Sequence, residues 1–297
     1  MHNRLIHMVA ALIFGAATCF SQQWALARLS AVAMRSQPRH SAEMVSQALM
    51  GHPVKVLERG DDWSRVEGAD GYTGYIINHS LAFKSDAEMQ QWQRSRRVVA
   101  TAPYEFHLTD SVGAAVTDVV GGCILTCRDD STLVLPDGRT ARASADGFAD
   151  FATWANQPFC AERLPQCAAQ YLGVPYLWGG LSSKGMDCSG LVRMAYLEQG
   201  RLLPRDARDQ AQEGVAVAST DSLRAGDLLF FGNRSTGRIT HVAIFADPAT
   251  GGYVHSSQLV RRNSISRQSA LYLPLNLLKM RRVEGRSVAT HPWYVGE

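Results

Sequence analysis

The stretch Gly185-Met-Asp-Cys-Ser-Gly-Leu-Val-Arg-Met-Ala-Tyr-Leu-Glu-Gln-Gly200 decides how this 297-residue chain is read. From Cys188 to Gln199 apolar residues recur at helical spacing, and Gly200 stops the run. Asp187 stands where an N-cap residue belongs. A cysteine that opens a helix meets the positive end of the helix dipole, which favours thiolate, the reactive form. Ser189 and Gly190 keep the first turn small, leaving room for a substrate backbone. A lone cysteine in this place is equally consistent with a small buried apolar residue, so a base has to be found.

Downstream, strand-like runs cover 227–231, 239–245 and 253–256. His241 lies inside an aliphatic run, where a polar ring must find a hydrogen-bond partner. His255 ends the next run, and Gly251-Gly252 between them reads as a hairpin turn. Antiparallel pairing would bring the two rings together, with His255 holding His241 in the tautomer that accepts a thiol proton. The alternative is a satisfied core histidine. Upstream of Cys188, 161–172 has helical spacing and ends at Gly173. A further helix is expected within 204–214. Helices first and strands afterwards predict an α+β domain over 151–297.

The remainder of the chain has a different texture. Over 28–84, the alternating runs Pro53-Val-Lys-Val-Leu-Glu58 and Trp63-Ser-Arg-Val66 are separated by Gly60-Asp-Asp62 and followed by Gly68-Ala-Asp-Gly71. Gly74-Tyr-Ile-Ile77 reads as a closing strand. Residues 85–99 are polar, with Met89 and Trp92 at helical spacing, and predict a connecting helix. A second β segment over 100–150 contains Pro136-Asp-Gly-Arg139, in which Pro presets one dihedral and Gly accepts positive φ. At the N-terminus, Arg4, a charge-free apolar run over 8–20 and Ala25-Leu-Ala27 read as an export signal over 1–27. The run is short for a membrane span, so no stable membrane insertion is expected after cleavage. A lipoprotein cut before Cys19 is the lesser match.

Apolar residues make up 46% and charged residues 19% of the chain, which argues against disorder. A net charge of +3 is too small to suggest a nucleic-acid partner. Removal of 1–27 leaves Cys123, Cys127, Cys160, Cys167 and Cys188. In an oxidising compartment Cys123–Cys127 and Cys160–Cys167 are possible disulfides, and the odd count leaves a free thiol. The cysteines lack histidines at zinc-finger spacing, and no phosphate-binding glycine loop of the Walker type is present, so no metal or cofactor is expected.

Six blocks in one order carry a resemblance. They are Tyr171-Leu-Gly-Val-Pro-Tyr-Leu-Trp-Gly-Gly180, Met186-Asp-Cys-Ser-Gly190, Pro204-Arg-Asp-Ala207, Ala225-Gly-Asp-Leu-Leu-Phe-Phe231, His241-Val-Ala-Ile-Phe245 and Val254-His-Ser-Ser257. Together they resemble the NlpC-type cell-wall cysteine peptidases, circularly permuted relatives of the papain-like fold. The first β segment resembles bacterial SH3-like domains, and the second more loosely so. The fold this implies is α+β, a papain-like peptidase domain preceded by two small SH3-like β-barrels. The family's catalytic residues fall on Cys188, His241 and His255.

A subgroup with SH3-like modules, of the dipeptidyl-peptidase VI type, cuts L-Ala-γ-D-Glu-L-diamino-acid stem peptides after γ-D-Glu. Its substrate pattern matches Tyr176, Trp178, Asp187 and Ser189. By this resemblance Asp187 would bind the free ammonium of L-Ala, or else merely cap its helix. Ser189 and Arg205 would hold the D-Glu carboxylate, unless Arg205 pairs with Asp206 or Asp209 on a solvated face. Trp178 would form an apolar wall, and Tyr176 would join the Cys188 N–H at the oxyanion, unless both are core aromatics. Glu43 and Tyr72 are the expected contacts from the first SH3-like domain. His52, standing near a position where an acid would be sought, weakens that amine contact. The partners implied are peptidoglycan stem peptides or their fragments, at a periplasmic or cell-envelope location. The competing readings are an amidase or acyltransferase on the same fold, and a non-catalytic wall-binding protein.

Overall fold

The computed structural model of the chain describes residues 23–142 and 147–296. Seven strands form the first sheet: β1 (Gln23–Ala27), β2 (Ala31–Arg35), β3 (Met44–Leu49), β4 (Pro53–Arg59), β5 (Trp63–Gly68), β6 (Thr73–Ile77) and β7 (Leu81–Lys84), in the order β3-β2-β6-β5-β4-β1-β7. Alternating burial along β2 and β5 sends Val32, Met34 and Val66 into a small core closed by Ala25, Ala27 and Ile76.

β1 corrects the expected start of this domain. Ala25-Leu-Ala27, read from sequence as a cleavage site, is fully buried and pairs with β4 on one side and β7 on the other. A cut after Ala27 would remove that strand and unpair two neighbours, so the first sheet includes Gln23–Ala27, ahead of the expected boundary at 28. The apolar run over 8–20 and Cys19 lie outside the described residues.

Helix α1 (Asp86–Arg94) follows, opened by a capping box in which Ser85 and Glu88 bond each other's backbone. It buries Met89 and Trp92 and ends before Arg97, where a second seven-stranded sheet begins. Its strands are β8 (Arg97–Ala100), β9 (Phe106–Thr109), β10 (Ala115–Val119), β11 (Ile124–Cys127), β12 (Thr132–Val134), β13 (Thr140–Arg142) and β14 (Phe148–Asp150). The expected connecting helix over 85–99 is therefore shorter, because Arg97, Val98 and Val99 pair with β11. The two β domains touch through backbone: Ile124 N–H donates to Met50 O at 2.9 Å. Gly51, at φ +78°, lies so close to Ile124 O that a Cβ there would clash.

The last domain contains helices α2 (Phe151–Ala155), α3 (Leu164–Ala169), α4 (Cys188–Leu197), α5 (Ala207–Gln210) and α6 (Pro292–Val295). Its small strands are β15 (Leu181–Ser182), β16 (Gly185–Met186), β17 (Arg201–Leu202) and β18 (Val215–Ala216). The larger ones are β19 (Leu228–Gly232), β20 (Ile239–Asp247), β21 (Gly252–Ser257), β22 (Leu259–Ser264) and β23 (Leu277–Arg282). Together with β18 they form a six-stranded sheet in the order β18-β23-β19-β20-β21-β22. Helices α3 and α4 pack on one face, where Leu191, Val192 and Ala195 meet Val242, Ile244 and Val254. The opposite face holds Leu229, Phe231, Ala243, Phe245 and Tyr253 in a separate cluster. The fold is thus α+β, a helix-and-sheet domain behind two seven-stranded β domains. The five described cysteines are all free thiols, so neither expected disulfide is formed.

Candidate active site

Asp187 starts the site. It is the N-cap of α4, and its side chain accepts from Gly190 N–H at 2.7 Å and Gly179 N–H at 2.9 Å. Ser189 Oγ also donates to it at 3.1 Å, and the Arg205 guanidinium grips both its oxygens. Arg205 is 2% exposed and bonds Ser189 Oγ at 2.7 Å as well. A carboxylate offers about four lone-pair sites, and here five donors converge on them. Asp187 therefore caps its helix and is held by all five of these donors. Arg205 is not paired on a solvated face: it lies beneath the cleft, locking the Cys188 turn to the Gly179 loop. Ser189 and Arg205 bond each other and Asp187, while the buried Arg205 Nε has no hydrogen-bond partner.

Cys188 follows immediately and is 8% exposed. Its sulfur lies against the backbone N–H of Val242, the residue after His241. Burial pushes the thiol up to about 11, with the Asp187 carboxylate adding to this, while the Val242 and Ser189 N–H groups pull back. The helix dipole alone therefore does not leave a resting thiolate, contrary to the sequence expectation. Desolvation wins because the sulfur is enclosed.

The tautomer of His241 is set by a chain of hydrogen bonds whose direction can be worked out. The Asn263 amide donates to Leu271 O at 3.0 Å. Its Oδ1 is left to accept from His255 Nε2 at 2.9 Å, so that nitrogen carries the proton. His255 Nδ1 then has a lone pair and accepts from His241 Nε2 at 2.7 Å. The lone pair of His241 is consequently on Nδ1, the tautomer a general base needs. Burial, then the charges of His255 and Arg261, hold His241 down at about 3. Burial likewise lowers His255 to about 4, against the pull of Asn263. Burial thus favours the neutral form of both the thiol and the imidazole. Sequence reasoning missed Asn263. The signal was its position two residues beyond Arg261, which pairs in register with His255.

Around this centre, Tyr176 is held by its N–H to the carbonyl of Gln258, at the β21–β22 hairpin, at 2.8 Å. Burial, with Cys188 and Asp187 nearby, raises its phenol far above the usual range, keeping it a proton donor. Trp178 is 60% exposed and so is no core aromatic. Its indole N–H donates to Glu43 Oε1 at 2.7 Å across the domain boundary. Leu181 N–H also donates to Gln47 Oε1 at 2.8 Å, so β3 abuts the catalytic loop. Tyr72 is half-buried, and burial, then the charge of Asp206, raise its phenol above the usual value. His52 is elsewhere: its ring bridges Tyr294 OH and Gly122 O, each at 2.8 Å.

Residues 173–282 match the NlpC/P60 family, and residues 30–82 match the bacterial SH3 domain. A dipeptidyl-peptidase 6 from Lysinibacillus sphaericus is 31% identical over 255 residues, 80% of this chain and 90% of the relative. The chain belongs to the NlpC/P60 family. Another relative, a gamma-D-glutamyl-L-lysine dipeptidyl-peptidase from Bacillus cereus, is 27% identical over 249 residues, covering 79% of this chain and 71% of its own. The NlpC/P60 fold is shared with the crystal structure of an NlpC/P60 family protein from Bacillus cereus. That comparison has a TM-score of 0.73 at 22% identity and covers 87% of this chain and 99% of the other. An NlpC/P60 endopeptidase from Photobacterium damselae superposes with a TM-score of 0.67 at 17% identity, over 88% and 72% of the two chains.

Proposed function

We propose that this chain is a cysteine peptidase that hydrolyses the γ-D-Glu–L-diamino acid bond of peptidoglycan stem peptides bearing a free N-terminal L-Ala. The observation that carries the reading is the pair of bonds, Glu43–Trp178 and Gln47–Leu181, that seat the first SH3-like domain on the loop ahead of Cys188. We read this contact as a closed end of the cleft. A dipeptide ending in a free amine suits such a blind end, whereas a continuing chain does not.

The reaction runs as follows. As the Cys188 sulfur attacks the γ-carbonyl carbon, His241 Nδ1 takes its proton. The Cys188 N–H and the Tyr176 hydroxyl stabilise the developing oxyanion. The C–N bond breaks, His241 returns the proton to the departing amine, and an L-Ala-γ-D-Glu thioester remains on Cys188. Water, deprotonated by His241, then releases the dipeptide and restores the thiol. Asp187, Ser189 and Arg205 act as the frame of the site. Glu43, and Asp206 whose charge acts on Tyr72, are the carboxylates at the closed end for the ammonium; Trp178 supplies its apolar wall. Such a substrate implies work at the cell envelope after export. Among the described residues no helix is long and apolar enough to cross a membrane.

The test is incubation with L-Ala-γ-D-Glu-L-Lys and its N-acetyl form, followed by mass spectrometry. The free peptide should yield L-Ala-D-Glu and lysine, and acetylation should slow cleavage at least about tenfold, the scale of a lost charge-assisted bond. Equal rates on both would instead favour the amidase or acyltransferase reading, and wall binding without product the non-catalytic one.

A further inference from the structure

Charge is unevenly shared along this chain. Between residues 228 and 273 stand Arg234, Arg238, Arg261, Arg262 and Arg267 against the single acid Asp247. Asp247 is occupied within its own turn by Ala249 N–H and Thr250 Oγ1. The strands that carry the imidazoles are therefore basic, in a chain whose total is only +3.

Arg261 is the one beside the reaction centre. It pairs in register with His255, and residues directly opposite on antiparallel strands share a face. It is half-buried, its Nε has no hydrogen-bond partner, and no carboxylate among the described residues forms an ion pair with it. Its charge is felt at His255, His241 and Tyr253. A half-buried cation without an anion is unfavourable, and the arrangement makes sense if the anion arrives with a ligand.

The chemistry says which part of the ligand that is. The proton taken from the thiol must be handed to the departing nitrogen, so the leaving group lies at the imidazole end. The acyl part lies at the other, against Tyr176 and the first SH3-like domain. Leu259, two residues before Arg261 on the same face, is 41% exposed and bridges to Pro175, which continues this surface to the Tyr176 loop.

We infer that Arg261 is the receptor for a carboxylate on the leaving residue, an inference that rests on the peptidase reading above. Guanidinium and carboxylate match as a two-pronged pair. A leaving diamino acid can supply the group in two ways, as the terminal α-carboxylate or as the side-chain carboxylate of diaminopimelate.

Three peptides sharing L-Ala-γ-D-Glu separate these sources: L-Lys amide with no carboxylate on the leaving residue, L-Lys with the α-carboxylate, and diaminopimelate α-amide with the side-chain carboxylate. At least one acidic peptide should be cut with kcat/KM about tenfold or more above the amide. Arg261→Gln should bring that ratio close to one. Arg262→Gln, exposed and on the opposite face of β22, should keep it. Loss of the Arg261 charge should also raise the proton affinity of His241 and His255, moving the acid limb of the pH profile upward, which a merely structural role would not do. Three peptides cut equally well, or a ratio that survives Arg261→Gln, would overturn the inference alone. Cleavage of none would remove the peptidase reading and this inference with it.

Discussion

Asn263 decides which nitrogen of His241 carries the lone pair, although it lies two hydrogen bonds away. Its amide is committed to Leu271 O, and every proton from there to His241 follows. Asn263→Ala should lower kcat about tenfold with KM little changed, since the wrong tautomer becomes accessible while the cleft stays intact. The acid limb is a second readout. With His241 near 3 and His255 near 4, activity should persist below the pH where an ordinary histidine titrates and fall only toward pH 4. Asn263→Asp puts a carboxylate on His255, favours its charged form, and should move that limb upward. A pH profile of kcat/KM for the three proteins tests both. The start of a helix at Cys188 and the meeting of His241 with His255 were legible in sequence because a helix start and a hairpin can be read from periodicity and glycines. Asn263 was not, because strand register is a tertiary property.

At the scale of elements, α4 is fastened by its first residue pair. Asp187→Ala removes a helix cap, about 1 kcal/mol, and leaves the buried Arg205 charge uncompensated, about 3–5 kcal/mol. Asp187→Asn keeps a capping side chain and loses only the ion pair, so it should fall between wild type and Asp187→Ala in denaturant unfolding. An Asp187→Ala protein as stable as wild type would contradict this account of the site's frame. The helix α4 and strands β19 to β21 were legible from apolar spacing. The helix expected over 204–214 is a single turn, Ala207–Gln210. Gly214, at φ +62°, turns the chain against the backbone of Arg282, and the Gln210 side chain bonds Pro204 O and Ser189 O. These are tertiary contacts that no local pattern reveals. β1 misled for a physical reason: small residues that suit a signal cleavage site also suit a crowded barrel interior, where Ala25 and Ala27 are wholly enclosed.

For the whole molecule, the three domains are held by polar contacts as well as by a common core. His52 of the first barrel joins Gly122 of the second and Tyr294 of the C-terminal helix, while Arg193 of α4 pairs with Asp70 at 2.9 Å. Burial lowers His52 to about 4. Its folded form thus prefers to be neutral, while the unfolded chain binds a proton below about 6.5. The unfolded state then holds more protons between pH 6.5 and 4, so stability is full above that window and is lost as pH falls through it. Tm should drop between pH 7 and 4.5, and less steeply in His52→Leu, which starts lower at pH 7. A parallel pair of curves would refute this role. At the cleft, Glu43→Gln should weaken binding of the free-amine peptide and leave the acetylated one little affected, a difference visible in KM.

The central claim is that one sulfur, relieved of its proton by His241, breaks the γ-D-glutamyl bond. It is tested most directly by mass spectrometry of L-Ala-γ-D-Glu-L-Lys incubated with wild type and with Cys188→Ala. Wild type should release L-Ala-D-Glu and Cys188→Ala none. Release of the dipeptide by Cys188→Ala at the wild-type rate would contradict the account.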